Sequence, residues 1–177
     1  MLLNSNLFGN ANGIIVLISD ILQLGVKSAV QAIIFVGIQA SGKSTFYSQY
    51  FSNTHIRINL DMLKTRHREK RLVETCLKIG QPFVVDNTNP TPEERDRYIS
   101  LAKSNRFRIT GYYFASKISD SIQRNQNREL GQQVPEKAIR GTYSRLVLPT
   151  YTEGFDELYY VRLVLGEFTV QEWIDEI

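Results

Sequence analysis

Residues 37–44 read Gly37-Ile38-Gln39-Ala40-Ser41-Gly42-Lys43-Ser44, and Gly37, Gly42, Lys43 and Ser44 stand at the spacing of a phosphate loop. The glycines let the backbone curl so that several N–H groups converge on an anion. A helix starting near Lys43 adds its positive dipole end. In such a loop the lysine reaches the β- and γ-phosphates and the hydroxyl after it ligates magnesium. With Thr45, residues 37–45 form the candidate nucleotide-binding set. The alternative is a Gly-Ser surface turn with a lone lysine, but the context favours the phosphate loop. Ala32 to Val36 is an unbroken apolar run of buried-strand length, and Thr45 to Phe51 holds no Gly or Pro.

Working outward, His55 to Asn59 (H-I-R-I-N) alternates as a second strand, and Asp61 lies just past its end. In a parallel sheet that is the edge on which the phosphate loop opens. Lys64 to Arg71 gathers five basic residues against Glu69, and the helical pattern from Leu72 stops at Gly80. Pro82 to Asp86 is a third strand that ends on a carboxylate. Thr91, Pro92 and Glu94 predict a helix start with a capping box, and that helix ends near Asn105. Arg108 to Phe114 is a fourth strand and Leu158 to Leu165 a fifth. Lys117 to Leu130 is expected to be one helix, and Val134 opens another. Thr169 to Ile177 is expected to be a short terminal helix, with Thr169 as cap and Glu172 three residues on. Strands alternating with helices predict an α/β fold: a parallel sheet of about five strands, helices on both faces and a small helical lid.

Three features point to transfer of a phosphoryl group to a hydroxyl. Asp61 can accept the proton of an attacking hydroxyl, or else serve as a helix N-cap. Arg124 and Arg128, at i and i+4, share a face if both are helical. There they could neutralise charge on a triphosphate, or simply line a solvated face. Asp86 can hold magnesium together with Ser44, and Asn87 and Thr88 can face the acceptor; the alternative is an Asx-turn feeding the Thr91 cap. The basic run would draw a polyanion with salt-sensitive affinity.

The chain has 177 residues, a formal charge of +3 and a single cysteine, Cys76. One domain, residues 31–177, is expected, after an N-terminal extension, residues 1–30, of unknown role. A lone cysteine excludes an internal disulfide and a cysteine metal cluster and favours a reducing, cytoplasmic setting. Ile14 to Leu24 is interrupted by Ser19, Asp20 and Gln23, too short for the ~20 apolar residues of a membrane span.

Taken in order, I-F-V-G-I-Q-A-S-G-K-S-T-F, I-N-L-D, V-V-D-N-T-N-P, R-N-Q-N-R and L-P-T-Y-T-E-G-F-D resemble the kinase domain of 5′-hydroxyl polynucleotide kinases over about residues 32–165. The resemblance implies an adenylate-kinase-like P-loop fold with ATP and Mg²⁺. The activity implied is transfer of the γ-phosphate to a 5′-hydroxyl end of DNA or RNA. It implies Asp61 as general base, Lys43 and Ser44 with Thr45 in the phosphate loop, and Arg124 and Arg128 as lid arginines. Residues 86–89 would line the acceptor side. Leu60 stands where that family often carries an arginine, whose role Arg57, Lys64 or Arg66 would have to take. No D-x-D-x-T phosphatase motif and no K-x-D-G ligase motif is present, so a stand-alone kinase module is expected. A small-molecule phosphotransferase and a nucleotide-dependent switch are the other readings of the same loop. A switch, however, needs no acceptor base.

Overall fold

The computed structural model describes residues 30–164 and 166–174. The N-terminal extension, apart from Val30, therefore lies outside the described residues. Six strands form one sheet in the order β2-β3-β1-β4-β5-β6. They are β1 (Gln31–Val36), β2 (Ile56–Ile58), β3 (Phe83–Val85), β4 (Arg108–Phe114), β5 (Glu157–Val164) and β6 (Glu167–Glu172). The first five are parallel, and β6 runs antiparallel to β5. The helices are α1 (Lys43–Tyr50), α2 (Leu60–Leu63), α3 (Arg66–Ile79), α4 (Pro92–Ser104), α5 (Ile118–Gln126) and α6 (Glu136–Tyr143).

The central strand explains the layering. Successive β1 side chains point to opposite faces. Ala32, Ile34 and Val36 join Val73, Cys76 and Leu77 of α3 and Tyr98, Ile99 and Ala102 of α4 on one face. Ile33 and Phe35 meet Phe46, Phe51, Tyr112 and Phe114 on the other. Both faces are buried, so β1 reads as a continuous apolar run. From β1 the chain crosses to β2 and β3 on one side, then passes to β4 on the other. The loop after β1 thus sits where the order reverses, the place at which open α/β sheets bind ligands.

Local chemistry sets the helix ends. The Thr65 hydroxyl accepts from Arg68 N and the Thr91 hydroxyl from Glu94 N. Pro92 fills the first turn of α4, and Gly80 closes α3 in a left-handed conformation. The Glu94 carboxylate faces Arg145 at 3.3 Å, so Thr91 caps α4 without the expected capping box.

Three expectations are corrected. The sheet has six strands, not five. The expected terminal helix is instead β6: Val170 pairs with Val161 and Phe168 with Leu163, and residues 175–177 lie outside the description. The cap-like spacing of Thr169 and Glu172 loses to an apolar alternation that buries Val170 against the sheet. The helix expected over Lys117 to Leu130 stops at Gln126, so Arg124 and Arg128 do not share a helix face. Both ends of the Asn125 amide bond the Val134 backbone, at 2.8 and 3.0 Å, which turns residues 127–134 back as a loop.

Candidate active site

Gly37 (φ +148°) and Gly42 (φ +102°) hold backbone conformations that a side chain would strain, and they shape the loop between β1 and α1. Gly42 caps α1 without a side chain. The first-turn amides of α1 have no intrahelical acceptor and point out of the helix end, the arrangement that binds phosphate. Gly37 N donates to Thr88 O at 3.0 Å and Ile38 N to Ser116 Oγ at 3.3 Å, fixing the base of the loop.

Lys43 is buried and folded onto its own loop. Its Nζ donates to the carbonyls of Gly37 (2.9 Å) and Ile38 (2.5 Å) and to Ser41 Oγ (3.1 Å). Burial lowers its pKa to about 8; Asp86 opposes the shift and Arg128 adds to it. The folded value lies below the ordinary lysine value of 10.5, so the cost of burying the charge is fully present below about pH 8. The Lys43 contribution to the stability of the nucleotide-free chain therefore rises as the pH climbs from about 8 towards 10.5. A bound polyphosphate restores the lysine charge. We expect Mg·ADP binding at about pH 8.5 to take up roughly half to one proton and to weaken as pH rises further. Calorimetry in two buffers of different ionisation enthalpy measures the uptake, and Lys43→Met should abolish it.

Asp61 sits in the first turn of α2, and its expected alternative as N-cap is overturned. Asn59 is the cap: its Oδ1 accepts from Met62 N at 3.1 Å, while its Nδ2 donates to Asp86 O at 2.6 Å. Asn87 Oδ1 accepts from Leu60 N at 2.9 Å. Two asparagines thus pin α2 to the end of β3 and set the direction in which Asp61 leaves it. Asn87 Nδ2 donates to Glu69 Oε1 (2.6 Å) and to Tyr98 Oη (3.3 Å), and Glu69 Oε2 accepts from Arg66 (2.7 Å). Burial, then the Glu69 charge, pushes the Tyr98 hydroxyl up to about 12, so it stays protonated within this network.

A cavity of about 270 Å³ joins these parts. Gln39, Ala40, Gly42, Lys43 and Ser44 line one side of it. Asp61, Arg66, Asp86, Asn87 and Thr88 line another, and Arg128 and Val134 close it from the loop after α5. The lid is docked on the phosphate loop. Arg124 Nε donates to Ala40 O at 2.7 Å, and Gln39 Nε2 donates to Thr142 Oγ1 of α6 at 2.9 Å. Burial lowers the Arg124 pKa. Gln39 Oε1 is buried with no hydrogen-bond partner among the described residues.

Some of the expected site residues serve the framework instead. Asn87 lines the cavity, and its amide also bonds Leu60, Glu69 and Tyr98, so it orients α2 as well. Lys64 caps α2 in a left-handed conformation and is exposed outside the cavity, as is Thr45. Arg57 does not reach towards an acceptor: its guanidinium lies on Asp86 Oδ2 and Ser44 Oγ. Sequence reasoning missed Asn59, Glu69 and Asn125; Asn89, expected on the acceptor side with residues 86–88, instead ties the loop after β3 to Phe35 O through its Nδ2 at 2.8 Å. Only the buried acid Glu69, alone within a basic run, left a signal.

The donor set fits magnesium. Ser44 Oγ and Asp86 Oδ2 are hard oxygens 3.0 Å apart, already converging on a cationic group. Among the described residues no cluster of three or more His, Cys, Asp or Glu could hold a metal by itself. Two protein oxygens plus phosphate oxygens is the way magnesium is usually held.

A mostly parallel sheet with a phosphate loop at its ligand edge and a lid over that loop defines a P-loop nucleotide-binding protein. The family described as AAA domain matches residues 33–149, and the chain belongs to that family. The chain is similar to the bifunctional polynucleotide phosphatase/kinase of Schizosaccharomyces pombe, at 34% identity over 131 residues. That match covers 71% of this chain but 32% of the relative, so the chain spans about a third of the relative's length. The Chaetomium thermophilum Kti12 structure, in complex with ADP-AlF3, shares the fold with a TM-score of 0.60 at 13% identity, covering 74% of this chain and 88% of that one. The Pnkp1/Rnl/Hen1 RNA repair complex shares it with a TM-score of 0.56 at 21% identity, covering 70% and 46%. No helix among the described residues is long and apolar enough to cross a membrane.

Proposed function

We propose that the chain is an ATP-dependent kinase that transfers the γ-phosphate to a 5′-hydroxyl end of a polynucleotide. The observation that carries this reading is that Asp61 lines the same cavity as Lys43, Ser44 and Arg128. An acceptor hydroxyl between Asp61 and the phosphate loop would lose its proton to the carboxylate as it attacks the γ-phosphorus, opposite the departing ADP oxygen. Lys43 and the first-turn amides of α1 hold the β- and γ-phosphates. Ser44 and Asp86 hold Mg²⁺, which when bound neutralises charge on the phosphate oxygens. Arg128, presented by the Asn125-clamped loop, faces the charge that develops in transfer. Arg124 locks the lid onto the loop backbone.

The polynucleotide acceptor is supported by the fission-yeast relative, which is named a polynucleotide phosphatase/kinase, and by the charge beside Asp61. Lys64, Arg68 and Arg71 are exposed cations at the end of α2 and along the outer side of α3, and Arg68 reaches back towards Leu63 O at 3.5 Å. Changing these three to glutamine should raise the oligonucleotide KM several-fold. The slope of log KM against log salt should fall by roughly one for each phosphate that the variant no longer neutralises. Arg66 is left intact because it holds Glu69. A salt slope identical to wild type would remove α3 from acceptor binding.

Labelled γ-phosphate, offered side by side to 5′-hydroxyl DNA, 5′-hydroxyl RNA and a panel of small alcohols, tests the acceptor. Label at an oligonucleotide 5′ end is the expected result. Label on a small alcohol alone would overturn the polynucleotide assignment and leave the kinase assignment standing.

A further inference from the structure

Arg57 does something that no part of the transfer reaction requires. Its Nε and Nη2 both donate to Asp86 Oδ2, at 2.8 and 2.5 Å, and Nη2 also donates to Ser44 Oγ at 2.9 Å. These are the two oxygens that fit a divalent cation. The Asp86 side chain is 1% exposed, and a carboxylate so buried needs a cation beside it. Lys43 does not bond it, because its ammonium is turned onto its own loop. Among the described residues, Arg57 makes the ion pair to Asp86.

Resting on the nucleotide-site reading above, we propose that Arg57 is an internal cation holding the metal position until nucleotide arrives, so that divalent metal enters only as its nucleotide complex. A guanidinium and a metal ion cannot occupy one point. Two protein oxygens are a poor site for a bare hydrated ion, which must give up water to bind them. The resident arginine, already seated through charge-assisted hydrogen bonds, therefore holds against free metal. Metal carried by phosphates brings its own further oxygens, and the loop amides and Lys43 bind those phosphates. That added binding energy displaces the guanidinium. The displaced group has somewhere to go. The Arg57 side chain is 26% exposed, its guanidinium lies 5.5 Å from the Tyr47 ring centroid, and Nη1 reaches Met62 Sδ at 3.5 Å, one residue from Asp61. Rotation towards Met62 opens the site and brings positive charge to the side where the acceptor enters.

The test needs neither acceptor nor turnover. Mn²⁺ binding to the nucleotide-free chain, followed by electron paramagnetic resonance, should be at least about tenfold tighter in Arg57→Met than in wild type. Equal affinities would overturn the proposal. Should Arg57→Met be unstable, Mn²⁺ ought to restore its cooperative melt while leaving the wild-type melt unmoved; a variant that metal does not rescue counts against the proposal. In the wild-type chain, the Arg57 Nε–H resonance should persist with Mg²⁺ alone and shift or broaden with Mg·ADP. Persistence in the Mg·ADP complex would overturn it. Absence of any Mg·ADP binding by calorimetry would instead fail the nucleotide reading, and the Mn²⁺ comparison would still judge Arg57.

Discussion

Asp61→Asn should lower the single-turnover rate of phosphoryl transfer by about two to four orders of magnitude while ATP affinity stays within about twofold. The carboxamide keeps the shape of the side chain and cannot take a proton. Asp61 is exposed and makes no hydrogen bond or ion pair among the described residues, so the change removes no support from the fold. Its orientation comes from Asn59 and Asn87, which the substitution leaves in place. Because the base is engaged only as the hydroxyl attacks, the loss should appear in kcat rather than in the nucleotide KM. Rapid-quench kinetics alongside equilibrium ATP binding separate the two. Transfer within about threefold of wild type would take Asp61 out of the mechanism.

Arg95→Met should have the largest effect on stability, about 3–5 kcal/mol. Arg95 is fully buried. Its Nε and Nη2 meet the two Glu153 oxygens at 2.6 and 2.7 Å, and Nη1 donates to the carbonyls of Asn89, Pro90 and Val147 at 3.1 to 3.2 Å. One guanidinium thus fastens the loop after β3 and the segment before β5 to α4. Removing it strands a largely buried carboxylate and the carbonyls of Asn89 and Val147, while Pro90 O keeps the hydrogen bond it accepts from Val147 N. A domain of this size should lose roughly 6–20 °C in Tm. The double change Arg95→Met with Glu153→Leu should recover part of the loss, because an apolar pair leaves no charge behind. A double mutant less stable than the single would contradict this account of the pair.

Residues close in sequence made most of the fold legible. The apolar run of β1, the turn chemistry of Gly37 and Gly42, and the caps at Thr91 and Gly80 are local signals, and the structure follows each. What was not legible depends on partners far along the chain. Arg57 meets Asp86 29 residues away, and Arg95 meets Glu153 58 residues away; no local pattern encodes either. At Thr169 to Glu172 a helix-cap spacing and a strand alternation compete in the same residues. The free edge of β5 decides between them, and that edge exists only once the sheet is formed. Arg124 and Arg128 looked like one helical face because spacing says nothing about Asn125 closing the helix between them. The cavity itself, which gathers residues from Gln39 to Val134, is a product of topology.

The proposed mechanism has Asp61 and the phosphate loop act on one phosphoryl group in one cavity. The most direct test is a single-turnover reaction of wild-type and Asp61→Asn chains with γ-labelled ATP and a 5′-hydroxyl oligonucleotide, with label at the 5′ end and label released as free phosphate counted separately. In the time the wild-type chain takes to label the oligonucleotide, Asp61→Asn should bind ATP but leave the 5′ end almost unlabelled. Equal end-labelling by both chains, or release of free phosphate alone by the wild type, would contradict the mechanism.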